Sequence, residues 1–242
     1  MNASALTPYG HAVRDYHGGR HDAELTLHSS LGEYDTMPLA WFFRNEDEFF
    51  PFDHAAIEMC RGRVLDAGAG TGVHSLCLQE RGLEVVAVDT VPECVDVMKA
   101  RGVNDVRLAD MFALSGEKFD TVLMLMNGIG PVGTLDNLES FLAAMRPLIT
   151  HGGQLLLDSS GVDPQTPPAN APTPPWPQTP PDYIGDVWIQ LSYDGVAGES
   201  FRELYCAFGM LGRIAKKSGW DCQMVYQDED TAYVARLLPP RS

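Results

Sequence analysis

The segment Asp66-Ala67-Gly68-Ala69-Gly70-Thr71-Gly72 places a carboxylate and three alternating glycines directly after the apolar residues Val64 and Leu65. Glycine adopts positive φ freely and leaves space where a Cβ would collide, so a turn of this composition lets a ligand lie against the backbone. A helix beginning just beyond it points unpaired N–H groups and its positive dipole end into the same space, which suits a carboxylate or phosphate. Asp66, Gly68, Gly70 and Gly72 are therefore the first candidate binding residues. The run Leu83 to Asp89 closes on a second acid, placed where a carboxylate can accept both ribose hydroxyls of a nucleoside. Asp89, or Thr90 after it, can equally cap the helix expected from Pro92.

These residues need a sheet behind them. Val64 to Ala67, Leu83 to Asp89, Lys118 to Met126 and Gln154 to Asp158 are short, mostly apolar runs of the kind that form buried parallel strands, and Asp105 to Leu108 reads as a further short strand between them. In an open α/β sheet, ligands lie beyond the carboxyl ends of the strands, near the point where strand order reverses. Asn127 to Gly130, where the run from Lys118 stops, is expected beside the reactive end of a bound cofactor. Farther on, Trp220 to Gln227 and Thr231 to Leu238 face each other across Asp228-Glu229-Asp230. Strands that close together must be antiparallel.

The DxGxGxG spacing resembles the first motif of the class I methyltransferases that use S-adenosylmethionine (SAM). A dinucleotide-binding turn would carry its third glycine three positions after the second, where Val73 stands. The resemblance covers roughly residues 60 to 160 and extends to the final hairpin. It implies an α/β fold: a Rossmann-like, doubly wound, seven-stranded sheet with a C-terminal antiparallel hairpin. It also implies SAM as cofactor, S-adenosylhomocysteine as product, and methyl transfer as activity. By the same resemblance Asp110 accepts from the adenine amino group and the Met111 backbone N–H meets a ring nitrogen. An NAD(P)-dependent Rossmann oxidoreductase and a non-catalytic SAM-binding regulatory protein are the alternatives.

Composition bounds the acceptor. A formal net charge of −16, with 17 Lys and Arg among 242 residues, argues against a nucleic-acid substrate, since phosphate backbones are held mainly by basic side chains. The Asn/Asp-Pro-Pro-aromatic signature that the family associates with planar amine targets is absent, because the strand ends Asn127-Gly128-Ile129-Gly130. A small-molecule acceptor is expected. Five scattered cysteines without a CxxC pair, no apolar run long enough for a membrane span and no signal-peptide core point to a cytoplasmic protein. His11, His17, His21 and His28 have no second ligand cluster, so no metal site is expected.

Two segments lie outside the basic domain, taken as 61–242. Residues 1–60 form an expected cover, in which Trp41, Phe42 and Phe43 shape the acceptor side and Arg44 can pair in a fork with the cofactor's carboxylate. The alternative is a core plug with a solvated arginine. Residues 163–182 are dense in proline and read as an irregular loop, followed by an inserted hairpin at about 184–205. A lid or homodimer contact using Trp176, Tyr183 and Trp188 is expected there. Methyl transfer is an in-line displacement that works largely through positioning and exclusion of water. Motifs therefore locate the cofactor better than the catalyst: Asn127, His74, His28 and Tyr183 are the candidate polar groups on the acceptor side, and each has an ordinary structural reading as well.

Overall fold

A computed structural model describes residues 3–164 and 172–240 of the chain. In chain order the elements are α1 (Thr7–His17), β1 (Glu24–Ser29), β2 (Tyr34–Pro38), α2 (Pro51–Ile57), β3 (Arg63–Ala67), α3 (Val73–Glu80), β4 (Glu84–Asp89), α4 (Pro92–Arg101) and β5 (Asp105–Leu108). There follow β6 (Phe119–Met124), α5 (Leu138–Met145), β7 (Ile149–Ser159), β8 (Asp186–Tyr193), β9 (Val196–Ala197), β10 (Phe201–Leu204), α6 (Phe208–Lys217), β11 (Asp221–Gln227) and β12 (Tyr233–Leu238).

Seven strands form one sheet in the order β11-β12-β7-β6-β3-β4-β5. The pairs among β7, β6, β3, β4 and β5 are parallel, whereas β12 runs antiparallel to both β7 and β11. This is the doubly wound sheet with a terminal hairpin that the sequence implies. Val64, Leu65, Val122, Leu123, Leu155, Leu156 and Leu157 are wholly inaccessible, as strands covered by helices on both faces require. Burying each such side chain is worth about 1.5–3 kcal/mol. Strand order reverses between β3 and β6, which opens a crevice beyond their carboxyl ends.

A second, antiparallel sheet has the order β10-β8-β1-β2, with β9 alongside β8. The sequence suggests an amino-terminal strand and an inserted hairpin as separate additions; they are one layer. Leu27 pairs with Leu191 and Phe201 with Ile189, so the alternation within each strand puts aliphatic residues from both ends of the chain on one face. Helix α1, which the sequence reading does not anticipate, starts on Thr7-Pro8 and packs Ala12 and Val13 into a buried cluster with Val91, Cys94 and Val97 of the α4 region. That contact seats the second sheet over the crevice.

The proline-rich segment corrects an expectation. Its residues 165–171 lie outside the described residues. Trp176 is buried against His28, with ring centroids 4.6 Å apart, and Trp188 stacks with Arg202. Trp188 has the opposite strand parity to the cavity-lining Ile189 and Leu191, and His28 to Leu27. Trp176, Tyr183 and Trp188 are thus not among the cavity-lining residues, and the inserted strands β8 and β10 cover the cavity instead through Ile189, Leu191, Phe201 and Glu203.

Candidate functional site

Beyond β3 the chain turns at Gly68 (φ 79°) and Gly70 (φ 56°). The N–H groups of Gly68 and Ala69 donate to the Val88 carbonyl, tying the turn to β4. Asp89 locks it from the other side: one carboxylate oxygen accepts from Gly70 N at 2.8 Å and the other from Val91 N at 2.9 Å. Each carboxylate oxygen keeps a further acceptor direction for a ligand. Burial raises the Asp89 pKa, with the backbone donors opposing the rise. A Cβ on Gly68 would meet no protein atom within 4 Å, and Gly68 lines the cavity.

Two residues of the glycine motif have other duties. Gly72 (φ 81°) faces α4, where a Cβ would approach Val103 at 2.9 Å and Met98 at 3.0 Å. It allows two elements to pack, and it does not line the cavity. Asp66 likewise sits behind the turn, accepting from Ser75 Oγ at 2.6 Å inside α3. Thr90, Asp110 and Met111 do reach the cavity wall, and Asp110 also accepts from Phe112 N at 2.9 Å.

Opposite the glycine turn, Met126 (φ 67°) and Asn127 (φ 54°) follow β6 in left-handed backbone. Non-glycine residues there are strained by about 1–3 kcal/mol each and need outside support. Asp158, at the end of β7, supplies it by accepting from Asn127 N at 3.0 Å and Gly128 N at 2.7 Å. Its pKa is pushed up to about 6 by burial, against those two donors. The Asn127 side chain is thereby aimed at the second sheet, donating to the Leu204 carbonyl at 3.3 Å and to Glu203 at 3.4 Å.

A third wall carries a buried ionic cluster. Asp53, wholly inaccessible in the first turn of α2, accepts from Arg44 Nη2 at 2.6 Å and from Phe50 N at 2.9 Å. His74 Nε2 lies 2.9 Å from the other Asp53 oxygen. Burial works against the charge on Asp53, yet His74 and Arg44 outweigh it and hold its pKa below the ordinary value. Arg44 also donates to the Trp41 carbonyl, while its buried Nε has no hydrogen-bond partner among the described residues. Arg44 and His74 both line the cavity.

These walls and the second sheet enclose about 500 Å³, within the range of small-molecule sites. One end is the polar glycine turn with Asp89. The other is a chamber walled by Leu25, Leu27, Ile189, Leu191, Phe201 and Glu203. Among the expected acceptor-side residues, Asn127 and His74 come together here. His28 and Tyr183 do not: burial lowers the His28 pKa beneath Trp176, and the Tyr183 hydroxyl accepts from Ala207 N at 3.2 Å. The sequence reading missed Tyr9, Asp53, Asp158 and Glu203. Tyr9 reaches over the turn from α1, its hydroxyl 3.1 Å from where a Gly70 Cβ would stand. For Glu203 a signal existed, since it occupies the inward position between Phe201 and Tyr205.

Residues 64–153 match a family described as a methyltransferase domain. A solved SAM-dependent methyltransferase from Bacteroides fragilis, in complex with S-adenosyl-L-homocysteine, superposes with a TM-score of 0.85 at 34% identity, covering 99% of this chain and 97% of that one. An uncharacterized methyltransferase of Mycobacterium bovis is 38% identical over 108 residues, 43% of this chain and 42% of the relative's own length. A glycine/sarcosine N-methyltransferase of Aphanothece halophytica is 28% identical over 135 residues, 51% of this chain and 49% of that protein.

Proposed function

This chain belongs to the class I SAM-dependent methyltransferase family, and from that premise we propose that it transfers a methyl group from SAM to a small-molecule acceptor held between its two sheets. The observation that carries the reading is one continuous cavity, polar at the glycine turn and aliphatic under the second sheet. The relative named for glycine and sarcosine is consistent with an acceptor of small size. So is the net charge of −16, which repels polyanions. Five unpaired cysteines support a reducing, cytoplasmic setting.

The residues present fit the cofactor. Asp89 would accept the ribose hydroxyls, and the open side of Gly68 leaves room for a ligand against the backbone. The unpartnered Arg44 Nε answers a carboxylate. Asp110 and the Met111 backbone would serve the adenine, as the family resemblance implies. When bound, SAM supplies an electrophilic methyl on a positively charged sulfur. The protein's share is to hold an acceptor in line with that methyl and to exclude water, which the aliphatic inner face of the second sheet does.

Calorimetric titration with SAM, S-adenosylhomocysteine and NAD tests the cofactor, and a methyl-transfer screen against metabolite extracts tests turnover. Binding of both sulfur compounds without NAD binding is expected. Tight NAD binding with no response to either sulfur compound would overturn the assignment.

A further inference from the structure

Glu203 is the only charged side chain among the described residues of the second sheet that line the cavity. Its neighbours on that face are Leu25, Leu27, Met37, Ile189, Leu191 and Phe201. Such a face has no structural use for a carboxylate, because an aliphatic residue would pack there without desolvation cost. Among the described residues Glu203 is not paired with a cation. Its single hydrogen bond among the described residues is the 3.4 Å contact from Asn127 Nδ2 to Oε2, which leaves Oε1 without a partner there on a residue that lines the chamber. Gly130 closes behind it, since a Cβ there would stand 3.4 Å from the Glu203 carboxyl carbon.

The neighbouring groups cannot take its place. Asp158 already accepts from the Asn127 and Gly128 amides, and taking up a substrate proton would weaken the bonds that hold the left-handed Met126-Asn127 turn in place. Tyr205, next in the chain, has its pKa raised by burial and by Glu203, so it stays protonated. On β8, Asp186 pairs with Arg202 on the other side of the strand, and Arg44 with His74 is committed to Asp53.

We propose that Glu203 is the proton acceptor for a protonated amine with an apolar body, so that the enzyme is an N-methyltransferase of hydrophobic amines. This rests on the methyl-transfer reading above. The ammonium group of the acceptor pairs with Oε1 while its body fills the aliphatic chamber. The N–H bond breaks, its proton passes to Glu203, and the nitrogen keeps the electron pair. That pair forms the new N–CH3 bond as the C–S bond breaks and its electrons return to sulfur, leaving a neutral thioether and a methylammonium product. Glu203 then releases its proton to solvent.

The class of acceptor follows from the balance of acidities. Burial pushes the Glu203 pKa up to about 7, with the Asn127 bond opposing. An alkylammonium loses its proton at roughly 10, a gap that an apolar chamber narrows because it disfavours the cation. An alcohol lies far out of reach of any carboxylate. A carboxylic acid acceptor would face Glu203 and Asp158, while Arg44, the arginine among the described cavity-lining residues, is taken up by Asp53 and by the cofactor's own carboxylate.

The test uses the full-length protein, methyl-labelled SAM and a panel of arylalkyl and alkyl amines matched to alcohols and carboxylates of the same skeletons. Transfer to amines alone is expected, with kcat/KM rising as pH passes through 7. Glu203→Gln should lower kcat at least 100-fold and remove that rise, while the affinity for S-adenosylhomocysteine stays within twofold. Glu203→Asp, which keeps a carboxylate, should recover part of the loss and guards against a folding defect. Transfer to the alcohols or carboxylates, no amine methylated, or a Glu203→Gln enzyme at wild-type rate would overturn the proposal. Failure to bind S-adenosylhomocysteine would instead overturn the cofactor reading beneath it.

Discussion

Replacing Asp89 by alanine separates two jobs that one carboxylate performs. Within the protein it accepts from Gly70 N and Val91 N. Removing it orphans two N–H groups, each costing about 1–3 kcal/mol, and water entering the cavity through the vacated space holds the cost near the lower value. A loss of about 2 kcal/mol corresponds to a melting point lower by roughly 4–8 °C for a chain of this size. Toward the cofactor, two charge-assisted hydrogen bonds of about 1.5–3 kcal/mol each are lost. Affinity for S-adenosylhomocysteine should fall by about 100-fold or more, since each 1.4 kcal/mol is tenfold. Titration calorimetry on a variant shown to be folded by circular dichroism makes the measurement. If the folded variant binds within threefold of the parent, Asp89 does not contact the ribose and the site is misassigned.

The two glycines at the ends of the motif should respond differently to alanine: Gly68→Ala fills cavity space and should weaken cofactor binding, whereas Gly72→Ala drives a Cβ into Val103 and Met98 and should lower the melting point more than the affinity. Scanning both variants by calorimetry with and without S-adenosylhomocysteine decides this, and equal effects on both quantities would refute the division. Asp158 makes a pH prediction. Its pKa rises from 3.8 to about 6 on folding, so the native state holds a proton that the unfolded chain has released. Its contribution to stability is therefore fully favourable below about pH 4 and is lost as pH rises through 6, by at most about 3 kcal/mol. Urea unfolding at pH 4.5 and 7.5 should show a smaller difference for Asp158→Asn than for wild type, and an unchanged difference would refute the shift.

The central sheet was legible because β3, β4, β6 and β7 are buried on both faces, which leaves continuous apolar runs that no surface strand would carry. The glycine turn, Asp89 and Asn127 were legible because a strand's end fixes where its next residues stand. Asp66 and Gly72 belong to the same motif, yet spacing alone does not say which side of the turn each faces: one looks into α3 and the other toward α4. The second sheet escaped for a different reason. Alternation marked β1, β8 and β10 as strands, but strand pairing is a long-range property with no local trace. Once β10 is known to face the cavity, Glu203 is conspicuous; before that it was one polar residue in an alternating run. Helix α6 left a readable pattern in Phe208, Leu211, Ile214 and Ala215, which pack on the main core.

The pairing of Leu27 with Leu191 has a consequence for how the protein is made. Strands β1 and β2 leave the ribosome long before β8 exists, and the contacts that join them are among the most distant in sequence. The cofactor half of the cavity depends on β3 to β7 and can assemble first. Its roof must wait, and meanwhile β1 holds an unpaired edge and an aliphatic face that invite association with other chains. A nascent or truncated chain ending before β8 would thus carry a formed glycine turn over an open chamber. Aggregation should concentrate at that stage of synthesis, and be relieved when the last quarter of the chain, from β8 onward, arrives.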